Sequence, residues 1–171
     1  MRKIQVWVLS LIFVHAAFGA IPNFHEVEEG LFRGGQPKES DLSALKSLGF
    51  RTIVSFRDEK KMIQWERGVV EKNGMAFISI PLTWRRGPTD EAVKHFLEVV
   101  SQPERRPVFV HCREGRDRTG AMIALLRIAK EGVPVERAYT EAKHYGFREF
   151  IIPLKRFILL KAKGFSGSPP P

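Results

Sequence analysis

The 171-residue chain holds a single cysteine, Cys112, so no disulfide can form within it. Histidine is nearly as scarce. Of the five, His25, His95 and His144 stand isolated without ligand-like spacing, and no metal or organic cofactor is expected. Acidic residues are short too: 19 Asp and Glu face 28 Lys and Arg, for a formal net charge of +9 that favours anionic partners. No aromatic-basic platform or groove-reading motif accompanies that charge, so nucleic acid is not the expected partner. There is no internal repeat. The longest apolar run, Ile4 to Phe18, falls short of the ~20 residues that span a bilayer, and no stable membrane anchor is expected.

That run follows Arg2-Lys3 and ends in Ala17-Phe18-Gly19-Ala20, the pattern of a secretory signal peptide. Residues 1–19 are predicted to be removed, because cleavage after Gly19 sets Ala17 and Gly19 at the small-residue positions. Losing Arg2 and Lys3, with no acid between, takes the net charge from +9 to +7. The chain is then expected to be exported, periplasmic or secreted, where thiols ordinarily pair. An unpaired thiol there points to reactivity. Residues 20–163 read as one domain, since about 150 residues suffice for a core burying roughly 68–70% of the unfolded surface. The Gly-Ser-Pro tail, 164–171, is predicted to be disordered.

Punctuation and period give the elements. Leu31-Phe32-Arg33 reads as a short strand ended by Gly34-Gly35, and Ser40 or Asp41 is expected to cap a helix with Leu42, Leu45 and Leu48 on one side. Arg51 to Phe56 is strand-like, and Lys60 to Lys72 reads as an exposed helix. Ala76 to Ile80 is expected as a third core strand, followed by a loop to Pro88 and a helix over Thr89 to Ser101. Pro107 to Val110 reads as a fully buried parallel strand, and Ala121 to Leu126 as a buried helix. Two further helices are predicted, over Val135 to Tyr145 and from about Phe150 to Lys163, with Phe150, Leu154, Phe157 and Ile158 inward. Strands alternating with helices argue for an α/β fold with a central, mainly parallel sheet flanked by helices.

Between the buried strand and the buried helix stands His111-Cys112-Arg113-Glu114-Gly115-Arg116-Asp117-Arg118-Thr119-Gly120. Strand, loop, helix puts this run at a helix N-terminus, where free backbone N–H groups and the macrodipole favour anions, thiolate and phosphate alike. Gly115 lets the backbone curl so that several N–H groups converge. The planar fork of Arg118 can hold two phosphate oxygens. The run reads as a phosphate cradle, Cys112 to Gly120, with a nucleophile at its base.

Cys-x5-Arg-Thr-Gly preceded by His resembles the protein tyrosine phosphatase superfamily, in particular its small dual-specificity and inositol polyphosphate (phytase-like) branches. The resemblance implies a dual-specificity-phosphatase-like fold and a phosphocysteine intermediate on Cys112. Arg118 would clamp the phosphoryl oxygens, Thr119 support the thiolate as leaving group, and His111 hold the loop. Arg113, Glu114, Gly115, Arg116 and Gly120 would complete the substrate cradle. Phe32-Arg33-Gly34-Gly35-Gln36-Pro37 resembles the opening of small atypical phosphatases of bacteria and fungi, and as a plain strand and turn it needs no further role. Two residues compete as general acid. Asp90 follows the loop where the family carries a mobile acid, with Trp84 nearby, although the order Trp-Pro-Asp is absent; Asp90 equally suits the first turn of a helix capped by Thr89. Asp117 sits where myotubularin-type lipid phosphatases carry an acid, and equally suits a loop-bracing ion pair. Asp58 ranks third, as a turn residue.

Arg113 and Arg116 occupy positions where a phosphoinositide-specific member of the superfamily carries lysines, which favours a multiply anionic substrate. An inositol polyphosphate is the expected partner, with a phosphoprotein, phosphotyrosine above all, as the alternative. A non-catalytic phosphate-binding module would keep the cradle without turnover, but Cys112, Arg118 and Thr119 are all intact. A rhodanese uses a loop cysteine as a sulfur carrier, yet its shorter loop lacks the Cys-x5-Arg spacing.

Overall fold

The structure, a computed structural model, describes residues 21–165, with side chains as far as Leu160. The expected signal peptide, 1–19, and residues 166–171 of the expected tail lie outside the described residues. Strand β1 (His25–Glu28) turns at Glu29-Gly30 into β2 (Leu31–Gly34), Gly30 taking the φ of 72° that the tight turn needs. There follow α1 (Glu39–Ser47), β3 (Thr52–Ser55), α2 (Lys60–Lys72), β4 (Ala76–Ser79), α3 (Asp90–Ser101), β5 (Val108–His111), α4 (Asp117–Glu131), α5 (Val135–His144) and α6 (Ile152–Phe165).

The sheet runs β1-β2-β5-β3-β4, parallel throughout except for β1. The expected mainly parallel α/β fold is therefore present. Two details differ. Strand β1, His-Glu-Val-Glu, has no apolar run to betray it and is not among the expected strands. Strand β4, expected within the core, is an edge strand whose only buried side chain is Phe77.

Alternation on the central strand β5 divides the core. Val108 and Val110 face α3 and α4 with Phe96, Met122 and Leu125, whereas Phe109 faces α1 and α2 with Leu42, Leu45 and Val70. All of these are at most 1% exposed, each burial contributing about 1.5–3 kcal/mol for a Val, Leu or Phe. Helix α4 is also covered on its far side by α5 and α6, through Ala138, Ala142, Leu154 and Ile158. It is thus buried almost all round.

Three helical expectations need correction. Helix α1 begins one residue before the expected caps: Lys38 is the cap residue, and Asp41 Oδ2 accepts its N–H at 2.8 Å. Helix α2 is not simply exposed, since its inner face buries Glu66, Val69 and Val70. Phe150 precedes α6 and is 75% exposed rather than inward, because Pro153 is tolerated only in a first turn and so fixes the helix start at Ile152.

Register fixes where a ligand can sit. Gly34 pairs with His111 and Ser55 pairs with His111, so the carboxyl ends of β2, β5 and β3 lie level. The crevice beyond such strand ends is where α/β sheets hold ligands.

Candidate active site

The loop after β5 runs from Cys112 to Arg116 and ends at the N-terminus of the 15-residue helix α4. Gly115 takes a φ of 72°, and a Cβ there would lie 2.3 Å from the Gly34 carbonyl carbon. No side chain fits that gap. A Cβ on Gly34 would in turn lie 2.8 Å from the Phe109 ring, and one on Gly35 3.2 Å from the Arg113 carbonyl oxygen. The Phe32 to Pro37 stretch therefore does more than turn the chain: its two glycines seat the cradle, and the Gln36 N–H donates to the Arg113 carbonyl at 3.1 Å.

Arg33 reinforces the seat. It is 1% exposed, donates from Nη2 to the Gly115 carbonyl at 2.7 Å, and lies 4.6 Å from the centre of the Tyr145 ring. Burial pulls its pKa down to about 10, while the nearby Cys112 pulls the other way. Asn23 donates to the same Gly115 carbonyl at 2.9 Å.

Cys112, 3% exposed, lies at the base of a 370 Å³ cavity lined by Asp58, Glu59, Trp84, Arg113, Glu114, Asp117, Arg118, Arg148 and Phe150 to Pro153. Arg118 reaches it from the first turn of α4. Its Nη1 donates to the carbonyls of Phe56 (3.3 Å) and Leu82 (3.1 Å) and to Asp58 Oδ1 (2.6 Å). One nitrogen thus anchors the guanidinium, and its remaining edge can meet two oxygens of one phosphate. Thr119 is fully buried, and its hydroxyl has no protein partner among the described residues. Gly120 packs beneath, against Phe147 and the Arg33 guanidinium.

The two expected acids part company. Asp90 is exposed in the first turn of α3, where Thr89 Oγ1 accepts the Ala92 N–H at 3.2 Å, and it lines a different cavity beside Lys94 and Lys130. The structure does not bring it into the cavity that Cys112 and Arg118 line. Asp117 does line the cavity, 6% exposed. Its Oδ1 accepts the Arg148 N–H at 2.9 Å and its Oδ2 the Arg148 Nε–H at 3.0 Å. That hydrogen bond in turn raises the pKa of Arg148 above its ordinary value.

The arginines divide as well. Arg113 is exposed at the mouth, but Arg116 turns outward into a shallow pocket with His144 and Tyr145, ion-paired to Glu114. That pair holds the Glu114 carboxyl below its usual range. Arg116, expected in the substrate cradle, does not line the Cys112 cavity, because the chain passes into α4 at this residue. Arg148 takes its place at the mouth, from a loop with no motif to flag it. The Phe150 ring lies under its guanidinium, 5.7 Å away, and Trp84 lines the same cavity; the two aromatics are 75% and 52% exposed.

A lone buried cysteine at a helix N-terminus, six residues ahead of an anchored arginine at the carboxyl end of a parallel sheet, defines the cysteine-dependent phosphatase class. Residues 17–158 match the family described as "DSP-PTPase phosphatase fused to NAD+ Kinase", and the chain belongs to that family. It is 33% identical over 104 residues to the chloroplastic NAD kinase 2 of Arabidopsis thaliana, a match covering 58% of this chain and 11% of the relative. To inositol diphosphatase DSP2 of Oryza sativa subsp. japonica it is 31% identical over 121 residues, or 67% of this chain and 59% of the relative. The chain thus spans only part of these relatives' lengths. Among solved structures, TpbA of Pseudomonas aeruginosa superposes with a TM-score of 0.71 at 24% identity, covering 84% of this chain and 88% of that one. The core catalytic domain of the PP-IP phosphatase SIW14 of S. cerevisiae gives 0.69 at 21%, covering 81% and 85%. Both share the fold.

Proposed function

We propose that the chain hydrolyses phosphate from inositol polyphosphates through a phosphocysteine intermediate. Cys112 Sγ attacks phosphorus, the bond to the leaving oxygen breaks, and that oxygen takes a proton from Asp117. Asp117 can donate only once Arg148 has released one of its oxygens. Water then attacks the phosphocysteine, giving inorganic phosphate and the free thiolate, with the Thr119 hydroxyl stabilising the departing sulfur. Arg118 holds the equatorial oxygens from its unanchored edge, and the α4 N-terminus adds N–H groups.

The observation that carries this reading is the anchored Arg118 beside Cys112 under a mouth bearing Arg113 and Arg148, three guanidiniums around one cavity. Such a mouth suits several phosphates on one ring. The relatives named inositol diphosphatases support it. A second reading, phosphotyrosine, is favoured by the aromatic wall of Trp84 and Phe150, and the likeness to TpbA, named a dual-specificity protein phosphatase, agrees with it. We place the enzyme outside the cytoplasm, as a domain of residues 20–163 released from a signal peptide, on the sequence pattern of residues 1–20.

The test is a panel at matched salt: inositol hexakisphosphate, phosphoinositides and a phosphotyrosine peptide, with Cys112→Ser as the blank. Inositol hexakisphosphate should give the highest kcat/KM, and preference for the peptide would reverse the order of the two readings. Asp117→Asn should slow turnover far more on an alkyl phosphate than on p-nitrophenyl phosphate, whose leaving group needs no proton. Equal effects would remove Asp117 from the mechanism.

A further inference from the structure

Beneath the cradle lies a buried carboxyl that the mechanism does not use. Glu66, on the inner face of α2, is 0% exposed, an expensive place for a charge unless it is paired and hydrogen-bonded. It is both. Its Oε1 lies 2.8 Å from His111 Nε2 and accepts from Gln36 Nε2 at 2.8 Å, while its Oε2 accepts from Ser55 Oγ at 3.0 Å. These partners arrive from three strands whose ends are level: Ser55 ends β3, His111 ends β5, and Gln36 lies two residues beyond the end of β2.

The other ring nitrogen of His111, Nδ1, meets the Cys112 carbonyl oxygen at 3.2 Å. Both ring nitrogens therefore face oxygen atoms, so the imidazole is held between the Glu66 carboxyl and the carbonyl of Cys112. Gln36 is fixed at its far end as well, Oε1 accepting from Arg57 Nη1 at 2.9 Å, and Arg57 in turn clasps both oxygens of Glu59 at the cavity wall.

We propose that Glu66, held by Gln36 and Ser55, is a positioning residue that fixes the His111 ring and, through the Cys112 carbonyl, the floor of the phosphate cradle. The proposal rests on Cys112 being the nucleophile. An amide at position 66 breaks this set: with its oxygen toward His111 and Gln36 it loses the anion that pairs with the ring and turns its N–H groups on the Ser55 hydroxyl, and with its oxygen toward Ser55 it sets N–H groups against both Gln36 Nε2 and His111 Nε2. The floor then loses its fixed register although every atom that touches substrate is retained.

The experiment compares Glu66→Gln with Val70→Ala, a substitution on the same buried face of α2 that destabilises without touching the network. Two quantities are read on each folded protein: the alkylation rate of Cys112 by iodoacetate, and kcat and KM on p-nitrophenyl phosphate. Glu66→Gln should lower both the alkylation rate and kcat by about 10- to 100-fold with KM within about twofold, the size of loss that misplacing a reacting group brings. Val70→Ala should lower Tm and leave both rates near wild type. If Glu66→Gln keeps both rates within twofold, or if Val70→Ala loses them equally, the positioning role is overturned. Should Glu66→Gln fail to fold, Gln36→Met at the half-buried end of the network must lower alkylation in the same direction; an unchanged rate sinks the proposal. Absence of turnover by the wild type on any phosphate would count against the phosphatase reading alone, since alkylation still reports the network.

Discussion

The floor and the mouth of the cavity are built on opposite plans. Under the cradle, Gly34, Gly35 and Gly115 meet backbone to backbone, and Ser55, Glu66, His111 and Arg33 are all at most 1% exposed. At the mouth, Arg113, Trp84 and Phe150 are exposed, and the two rings lie against the guanidiniums of Arg85 (5.1 Å) and Arg148 (5.7 Å). A floor of this kind has one arrangement and fails when that is disturbed, whereas a mouth of this kind can change residue by residue. Changes to the floor should therefore act on kcat or on folding, and changes to the mouth on KM and on choice of substrate.

The largest effect should come from Gly115→Ala. The added methyl meets backbone at 2.3 Å, with a positive φ besides, so either the cradle or the Gly34-Gly35 seat must move. Turnover should vanish and Tm fall by several degrees in a thermal melt. A variant that keeps wild-type turnover would show the seat to be slack.

Arg33→Met comes next. It removes the bond to the Gly115 carbonyl but also a costly buried cation, as its pKa of about 10 reflects. Stability should hold to within about 1 kcal/mol while kcat drops roughly tenfold. A fall in both together would make Arg33 merely a prop for the fold.

At the mouth, Arg113→Ala should raise KM for inositol hexakisphosphate about tenfold and leave kcat unchanged, since an exposed cation binds ground and transition states alike. For a phosphotyrosine peptide neither constant should move. If both substrates lose equally, Arg113 belongs to the cradle and not to its rim.

How far each region can be read in the sequence depends on the same division. The motif names Cys112, Arg118 and Thr119 because adjacent residues on one strand-loop-helix keep their geometry wherever the sheet is. The strands with apolar centres, β3 and β5, are legible for the same local reason. Glu66 is invisible: nothing in Lys60 to Lys72 marks one glutamate as inward, and only the level ends of three strands make sense of it. Arg148 is equally hidden, since its contact with Asp117 spans 31 residues. Asp90 and Arg116 mislead because sequence distance from the cysteine does not say which way a helix start turns a side chain.

The smallest expected effect lies where floor and mouth join. Two hydrogen bonds from Arg57 hold the Glu59 carboxyl at a pKa of about 2, against about 4.3 for an ordinary glutamate. A carboxyl with a depressed folded pKa contributes stability that is complete above the unfolded value and lost as pH falls from about 4 to about 2. Its side chain is 46% exposed, so solvent screening holds the contribution to on the order of 0.5 kcal/mol, or about 1–2 °C in Tm for a domain of this size. Glu59→Gln should therefore melt slightly below wild type at pH 7, and the two curves should converge as the pH nears 2. No gap at pH 7 would mean that Arg57 is held by Gln36 alone and that the network ends short of the cavity wall.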